Sequence, residues 1–281
     1  MESEIKNILI PTCLTESSGN SIEIGIAIAK MQNARITLLY NVINKIEPAP
    51  GEQLFIEIDQ IPEYPLHPEN QLKEYATELA RIHEISVLTS ISSGDPVRAI
   101  IKTVSELKVD LLVIGKNCLP RKIFNSATQK SLLRIIKGVD CPVLTIPEKW
   151  SGHEFQRVLF PLRLVPRALS KYAFSKMILK SENSEVYILA LAEMDDSASA
   201  KEMILLVESL KKILIIDGLK YQVAYSVNTN YLHEVLKTSE VYKIDLIVIT
   251  ANMIESLNSN YLGLFVRQIL GSAETPVLSI K

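Results

Sequence analysis

Cysteine is scarce in this chain of 281 residues, and its three cysteines, Cys13, Cys118 and Cys141, are widely separated. An odd number cannot pair completely within one chain, and none of them forms the C-x-x-C spacing typical of zinc and redox motifs. The four histidines are equally scattered and show no metal-ligand spacing. These absences argue against a disulfide framework and a structural metal site, and we expect no metal and no cofactor.

Long apolar runs and an excess of positive charge are also missing. No run approaches the ~18 apolar residues that a membrane helix needs, and the opening stretch MESEIKN is polar, unlike a secretion signal. We therefore expect a cytoplasmic protein without a membrane partner. Because 30 Lys and Arg residues stand against 32 Asp and Glu residues, we expect no nucleic-acid partner. Hydrolase motifs such as G-x-S-x-G are absent as well, so we expect no catalytic residues and no enzyme activity.

The sequence does contain an internal repeat. Three strand-like runs recur in the same order: NILIPT (7–12) and RVLFPL (157–162), VDLLVIG (109–115) and IDLIVIT (244–250), CPVLTI (141–146) and TPVLSI (275–280). The first pair is offset by 150 residues and the others by 135 and 134, and the proline-rich stretch 47–68 accounts for the difference as an inserted loop. The duplication predicts two domains, 1–149 and 155–281, with a short linker between them.

Apolar runs alternate with amphipathic segments in both halves, which is the pattern of β-α-β units with parallel strands. In the first half the pattern predicts strands at 7–12, 35–42, 85–91, 110–115 and 141–147, and helices at 17–32, 69–83, 96–108 and 126–137. In the second half it predicts strands at 156–161, 184–191, 220–227, 244–249 and 275–280, and helices at 166–180, 197–216, 230–242 and 261–270. The predicted fold class is α/β, with helices on both faces of a sheet whose central strands are apolar on both sides.

Three ordered features resemble the universal stress protein family. They are a first strand that ends in proline, the tripeptide Gly94-Asp95-Pro96 at the start of a helix, and a closing strand of the CPVL type. The resemblance covers both halves and implies a tandem member with two flavodoxin-like (adenine nucleotide alpha hydrolase-like) domains, each a five-stranded parallel sheet in the order 3-2-1-4-5. It also implies that the closing strands pair in antiparallel fashion. The chain is then an intramolecular pseudo-dimer, with a homodimer as the alternative assembly.

Nucleotide-binding members of that family have an aspartate after the first strand and a G-x-x-G, nine residues, G-[S/T] motif after the fourth. The resemblance places these residues at the corresponding positions: Thr12, Cys13, Gly115, Cys118, Asn125, Ser126, Arg163, Thr250, Met253, Gly263 and Leu264. Cys13 and Arg163 stand where the adenine-binding aspartate is expected, and four of the six glycine positions hold other residues. Because each added Cβ crowds the backbone path that a phosphate needs, we predict that ATP binding in the family's manner is lost.

The resulting prediction is a non-catalytic, stress-associated regulatory protein that binds a ligand or a protein partner. One alternative is an adenine-nucleotide-binding or weakly ATP-hydrolysing member, and a second is a redox module built on Cys13 and Cys118, which follow adjacent strands. A third possibility is an anion site at the end of the fourth strand. Its candidate cations are Lys116, Arg121, Lys122 and Lys130.

Overall fold

The computed structural model describes residues 4–14, 18–42, 67–116, 125–152, 154–179, 184–192, 197–226, 230–251, 253–256 and 259–281. The elements of the first half are β1 (Asn7–Thr12), α1 (Gly19–Gln32), β2 (Arg35–Val42), α2 (Pro68–His83), β3 (Val87–Ser93), α3 (Pro96–Leu107), β4 (Leu111–Gly115), α4 (Asn125–Gly138) and β5 (Val143–Ile146). Apart from residues 67 and 68, the predicted inserted loop 47–68 lies outside the described residues.

The second half repeats this alternation of strands and helices. Its elements are β6 (Arg157–Leu162), α5 (Ser170–Ser175), a 3₁₀ turn (Lys176–Ile178), β7 (Glu185–Leu191), α6 (Ser197–Ile216), β8 (Lys220–Ser226), α7 (Tyr231–Val241), β9 (Leu246–Thr250), β10 (Met253–Ser256), β11 (Ser259–Leu262), α8 (Leu264–Ser272) and β12 (Val277–Ile280). No helix in the described ranges is both long and apolar enough to cross a membrane.

Ten of these strands form one sheet in the order β3-β2-β1-β4-β5-β12-β9-β6-β7-β8. Each half therefore has the strand order 3-2-1-4-5, with parallel neighbours throughout. The two halves join where β12 pairs with β5 in antiparallel fashion. The predicted α/β class, the strand order and the antiparallel join are confirmed.

The join lies at the centre of the sheet and is fully apolar on one face. Leu144 pairs with Leu278, and these two residues are flanked by Val143 opposite Ser279 and Thr145 opposite Val277. Both leucines are 0% exposed. Pairing the two closing strands covers an edge that each half alone would leave open to association with other chains.

Two lysines tie the halves together on either side of the join. Lys116, which follows β4, donates from Nζ to the carbonyl oxygen of Ala273 (2.9 Å) at the end of α8. Lys281, which follows β12, donates to the carbonyl oxygens of Lys137 (2.8 Å) and Val139 at the end of α4. Cations at helix C-termini interact favourably with the helix dipole and its unpaired carbonyl groups. Each half therefore caps a helix of the other.

Apolar layers cover both faces of the sheet. Alternate residues of a central strand enter opposite layers, so that Val113 of β4 lies in one layer and Leu112 and Ile114 lie in the other. This double burial explains why the central strands are continuous apolar runs rather than alternating ones.

Matching backbone details show how closely the second half repeats the first. Asp110 accepts two main-chain hydrogen bonds at the start of β1 (both 2.9 Å), and Asp245 accepts the equivalent bonds at the start of β6 (2.8–3.0 Å). A left-handed lysine follows the preceding helix in both halves, with φ of 48° at Lys108 and 49° at Lys243. The repeated VDLLVIG and IDLIVIT motifs therefore have the same structural role.

Two predicted helices of the second half are wrong in extent. The helix predicted at 166–180 is reduced to Ser170–Ser175 and a 3₁₀ turn, because Arg167 adopts a left-handed φ of 57° that interrupts a helix. The helix predicted from residue 261 begins at Leu264, since the preceding residues form an antiparallel hairpin in which Met253 pairs with Leu262. The hairpin stands between β9 and α8, in the segment that carries the degenerate glycine motif.

Candidate functional site

The candidate sites are two crevices at the carboxyl ends of the central strands. Main-chain pairing between β1 and β4 covers only Ile8 with Leu111 and Leu9 with Leu112, although both strands continue beyond these residues. Pairing between β6 and β9 likewise ends after two residues. We call the first crevice (10–14 with 113–116) the first mouth and the second (160–164 with 248–251) the second mouth. Ligands of open α/β sheets bind where the strand order reverses in this way.

A lysine fills the second mouth from inside. Lys171 of α5 donates from Nζ to the carbonyl oxygens of Pro161 on β6 (2.7 Å) and Val248 on β9 (3.0 Å). Its side chain is 2% exposed, and Nζ lies 5.4 Å from the ring centroid of Phe160. The ammonium group thus bridges one carbonyl from each strand just beyond their last paired residues.

The electrostatic environment of Lys171 is unusual for a lysine. Burial, together with the nearby positive charge of Arg163, lowers the pKa of Lys171 to about 7. Among the described residues neither Lys171 nor Arg163 forms an ion pair with a carboxylate. The second mouth therefore holds two basic groups that no acidic side chain neutralises in the described part of the chain.

Arg163 lies at the entrance of the second mouth, at the position where the adenine-binding aspartate was expected. Its guanidinium carbon lies 4.8 Å from the ring centroid of Phe265 in the first turn of α8 and 5.7 Å from that of Tyr231, the first residue of α7. The side chain is half-buried, and burial lowers its pKa. These cation–π contacts fix the guanidinium against the starts of two helices.

The remaining predicted positions of the second half surround this arrangement. Thr250 ends β9, Met253 begins β10, and Gly263 is the N-cap residue of α8. Gly263 has no side chain with which to cap the N-terminus of α8, and Leu264 in the first turn of the helix is 65% exposed. The structure therefore brings Arg163, Thr250 and Gly263 to one end of the sheet, but it places a hairpin where the glycine-rich loop would run.

The described part of the first mouth contains small polar groups. The Thr12 hydroxyl donates to the hydroxyl of Ser18 (3.1 Å) and accepts from the N–H of Leu14 (3.2 Å). Cys13 is half-buried beside it, and Gly115 is the last residue of β4. Of the other predicted residues, Cys118 lies outside the described residues, and Asn125 and Ser126 form the first turn of α4 without described side chains.

The repeat has no second lysine equivalent to Lys171. The offset of 150 residues aligns Lys171 with Ser21 of α1, which is 1% exposed. The Ser21 hydroxyl donates to the carbonyl oxygen of Ser18 (2.8 Å) within its own turn and does not bridge the strands. The two mouths are therefore chemically different although their backbones match.

The predicted cation cluster at the first mouth is wrong for one of its members. Lys116 is directed across the join to Ala273 and away from the mouth, and Lys130 is exposed on α4. Arg121 and Lys122 lie outside the described residues. The described lysines therefore do not form an anion site at this place.

The described cysteines and histidines do not gather into a metal-binding cluster. Burial raises the pKa of the Cys141 thiol to about 12, so it is protonated at neutral pH. No group of three or more His, Cys, Asp or Glu side chains with metal-binding geometry occurs among the residues described. The proposed pairing of Cys13 with Cys118 stays a prediction, because Cys118 is not described.

Sequence reasoning missed Lys171, Tyr231 and Phe265. Their role depends on tertiary contacts between strand carbonyls, helix starts and cations, which no local pattern encodes. One signal was available in the sequence. The offset of 150 residues aligns Lys171, in the first helix of the second half, with the small residue Ser21 in the first helix of the first half.

Comparisons with known proteins agree with this architecture. A sequence model of the universal stress protein family matches residues 4–147, just over half of the chain. A solved universal stress protein from Archaeoglobus fulgidus DSM 4304 is 17% identical, with 99% of this chain and 97% of that chain covered and a TM-score of 0.70. A protein of unknown function from Pseudomonas aeruginosa PAO1 is 15% identical, with 99% and 92% covered and a TM-score of 0.68.

A search among curated proteins finds no match. At such low identity the two solved structures show a shared fold along the whole chain, and the match of the family model provides the relationship in sequence. The chain belongs to the universal stress protein family.

Proposed function

We propose that this protein is a non-catalytic, stress-associated regulatory protein of the cytoplasm that binds a ligand or a protein partner without binding ATP in its family's manner. The observation that carries the proposal is the occupation of the second mouth by the protein's own cations, Lys171 and Arg163. The two halves, taken as domains 1–149 and 155–281, then act as one unit through the shared sheet.

Arg163 is chemically unsuited to the role of the aspartate that it replaces. The exocyclic amino group of adenine is a hydrogen-bond donor and needs an acceptor. A guanidinium group has five N–H donors and no acceptor. Its contacts with Phe265 and Tyr231 also hold it over two ring faces on which a base would otherwise stack.

Lys171 adds a steric and electrostatic obstacle deeper in the crevice. Its Nζ takes the carbonyl oxygens of Pro161 and Val248, so the gap between β6 and β9 is already filled. The described residues of the second mouth include no carboxylate, the group that usually holds the magnesium ion of a bound nucleoside triphosphate. These features support a binding role in preference to ATP hydrolysis.

The first mouth supports a second candidate function, adenine-nucleotide binding confined to the first half. The family model matches this half, and Gly115 is retained at the end of β4. Against this alternative, position 13 is a cysteine, whose thiol is a weak acceptor compared with a carboxylate.

Titration calorimetry of the unmodified protein with ATP, adenosine and tripolyphosphate separates these functions. We expect no binding of adenosine and no tighter binding of ATP than of tripolyphosphate, because the described residues of the two mouths offer the adenine base no carboxylate acceptor. Adenosine binding, or ATP binding at least about tenfold tighter than that of tripolyphosphate, a difference of about 1.4 kcal/mol, would overturn the proposal in favour of the nucleotide-binding alternative.

A further inference from the structure

The guanidinium of Arg163 has hydrogen-bonding capacity that the described protein does not use. Its contacts are with the rings of Tyr231 and Phe265, and none of its N–H groups donates to an acceptor in the described part of the chain. A half-buried guanidinium is normally paired with a carboxylate or with carbonyl oxygens, because its five donors lose part of their hydration. The unused donors leave room for an acceptor that the described residues do not supply.

The local charge also favours an anion. Arg163 is close enough to Lys171 to lower the pKa of the lysine, so the two groups repel each other when both are charged. Helix α8, nine residues long with a glycine as its N-cap residue, adds the partial positive charge of its first N–H groups beside Phe265. An anion at the entrance would offset all of these positive charges at once.

The chemistry of the guanidinium group restricts the kind of anion. Its ring contacts, at 4.8 Å and 5.7 Å from the ring centroids, attract its charge but give its N–H groups no lone-pair acceptor. Oxyanions with two oxygen atoms side by side, such as phosphates and carboxylates, match that fork with paired hydrogen bonds. A nucleoside without an oxyanion makes no use of these donors.

We propose that the second mouth binds a small oxyanion, a phosphate or a carboxylate, through the N–H edge of Arg163. Phe265 and Tyr231 orient the guanidinium, and Lys171 contributes positive charge from the interior without contacting the ligand. In this proposal an anion binds at the second mouth in the place where the resemblance positions an adenine nucleoside. The proposal goes beyond the loss of ATP binding, because it names a class of ligand.

The test uses inorganic phosphate, pyrophosphate and malonate as probes, titrated calorimetrically into the full chain at low ionic strength. We expect saturable binding of at least one probe at one site, and the order of affinities tells whether phosphates or carboxylates are preferred. The variant Arg163→Gln should bind about tenfold more weakly or worse, since it removes a charge-assisted pair of hydrogen bonds. Arg163→Lys should also weaken binding, because lysine keeps the charge but lacks the fork.

Arg167→Gln is the matched control. Arg167 is an exposed arginine in the same loop, and its replacement changes the net charge equally. We expect its affinity to stay within about twofold of the unmodified protein, a shift of about 0.4 kcal/mol. Absence of saturable binding for all three probes, or equal weakening in the Arg163 and Arg167 variants, would overturn the site. Adenosine in a parallel titration keeps this outcome distinct from a failure of the proposed function, because adenosine carries no oxyanion.

Discussion

Replacing Val277 by lysine is expected to lower the free energy of unfolding by about 4 kcal/mol or more. Val277 is 0% exposed and pairs with Thr145 across the join and with Ile247 within its own half. Its side chain enters the buried layer that also contains Val143, where the hydroxyls of Thr145 and Ser279 are the polar groups at the join and leave the charge of a cation uncompensated. Because β12 pairs with β5 of the first half and with β9 of its own half, we expect both halves to lose stability together.

Urea unfolding measures this effect, with the fluorescence of Trp150 and far-ultraviolet circular dichroism as probes. Trp150, the one tryptophan of the chain, donates to the carbonyl oxygen of Gly152 between the halves. Val241→Lys is the control, because it makes the same substitution at a valine that is 62% exposed on α7. Equal midpoints for the two variants would show that the join is not buried as described.

Replacing Lys171 by methionine is expected to remove a pH dependence of stability. The folded-state pKa of Lys171, about 7, lies below its unfolded value near 10.4. Between these values the unfolded chain binds a proton that the folded chain lacks, so stability rises with pH by up to about 1.4 kcal/mol per unit. Below pH 7 the cost of the buried charge is fully present, and it is relieved progressively as the pH rises from the folded pKa towards the unfolded one.

The methionine variant lacks this slope but leaves the carbonyl oxygens of Pro161 and Val248 without their donor, which costs about 1–3 kcal/mol for each buried group. The free energy of unfolding of Lys171→Met, relative to that of the unmodified protein, should therefore be highest at pH 6. It should fall as the pH rises to 9, because the unmodified protein gains stability over this range. Urea unfolding at pH 6, 7.5 and 9 measures it. Lys212→Met, at an exposed site on α6, should run parallel to the unmodified protein. A pH-independent difference for Lys171→Met would contradict a depressed pKa.

The periodicity of the sequence was sufficient for most of the fold. The helix predicted at 197–216 is α6, and the strand predicted at 35–42 is β2, with the same limits. Such elements have an apolar repeat that matches their own geometry, and the repeated closing strands identify the join once the family resemblance is accepted. The local sequence pattern predicted helices of the wrong extent at two places. These are the segment where Arg167 takes a left-handed conformation and the segment where residues 253–262 form a hairpin.

The candidate site was less predictable than the fold. The family resemblance identified Arg163 and Gly263 as mouth residues, and the structure brings both to the end of the sheet. It could not show that Phe265 would hold the guanidinium, nor that Lys171 would bridge two strands that are remote in sequence. Contacts of this kind depend on the tertiary arrangement and are not encoded in the spacing of any motif.

Gain of ATP binding on repair of the second mouth tests the central claim most directly. The variant combines Arg163→Asp, Lys171→Ser, Thr250→Gly, Met253→Gly and Leu264→Ser, which restores an acceptor for adenine, empties the crevice and lets backbone N–H groups approach a phosphate. The new glycines cost about 0.5–1 kcal/mol each, so a cooperative unfolding transition must first show that the variant folds. The matched control carries the same changes but keeps Arg163.

The measurement is calorimetric titration with ATP and with tripolyphosphate. We predict that ATP binds the repaired variant more tightly than tripolyphosphate does, and that this preference is absent from both the unmodified protein and the control that keeps Arg163. An unmodified protein that already binds ATP in preference to tripolyphosphate, as tightly as the repaired variant, would contradict the claim that its own side chains exclude the nucleotide.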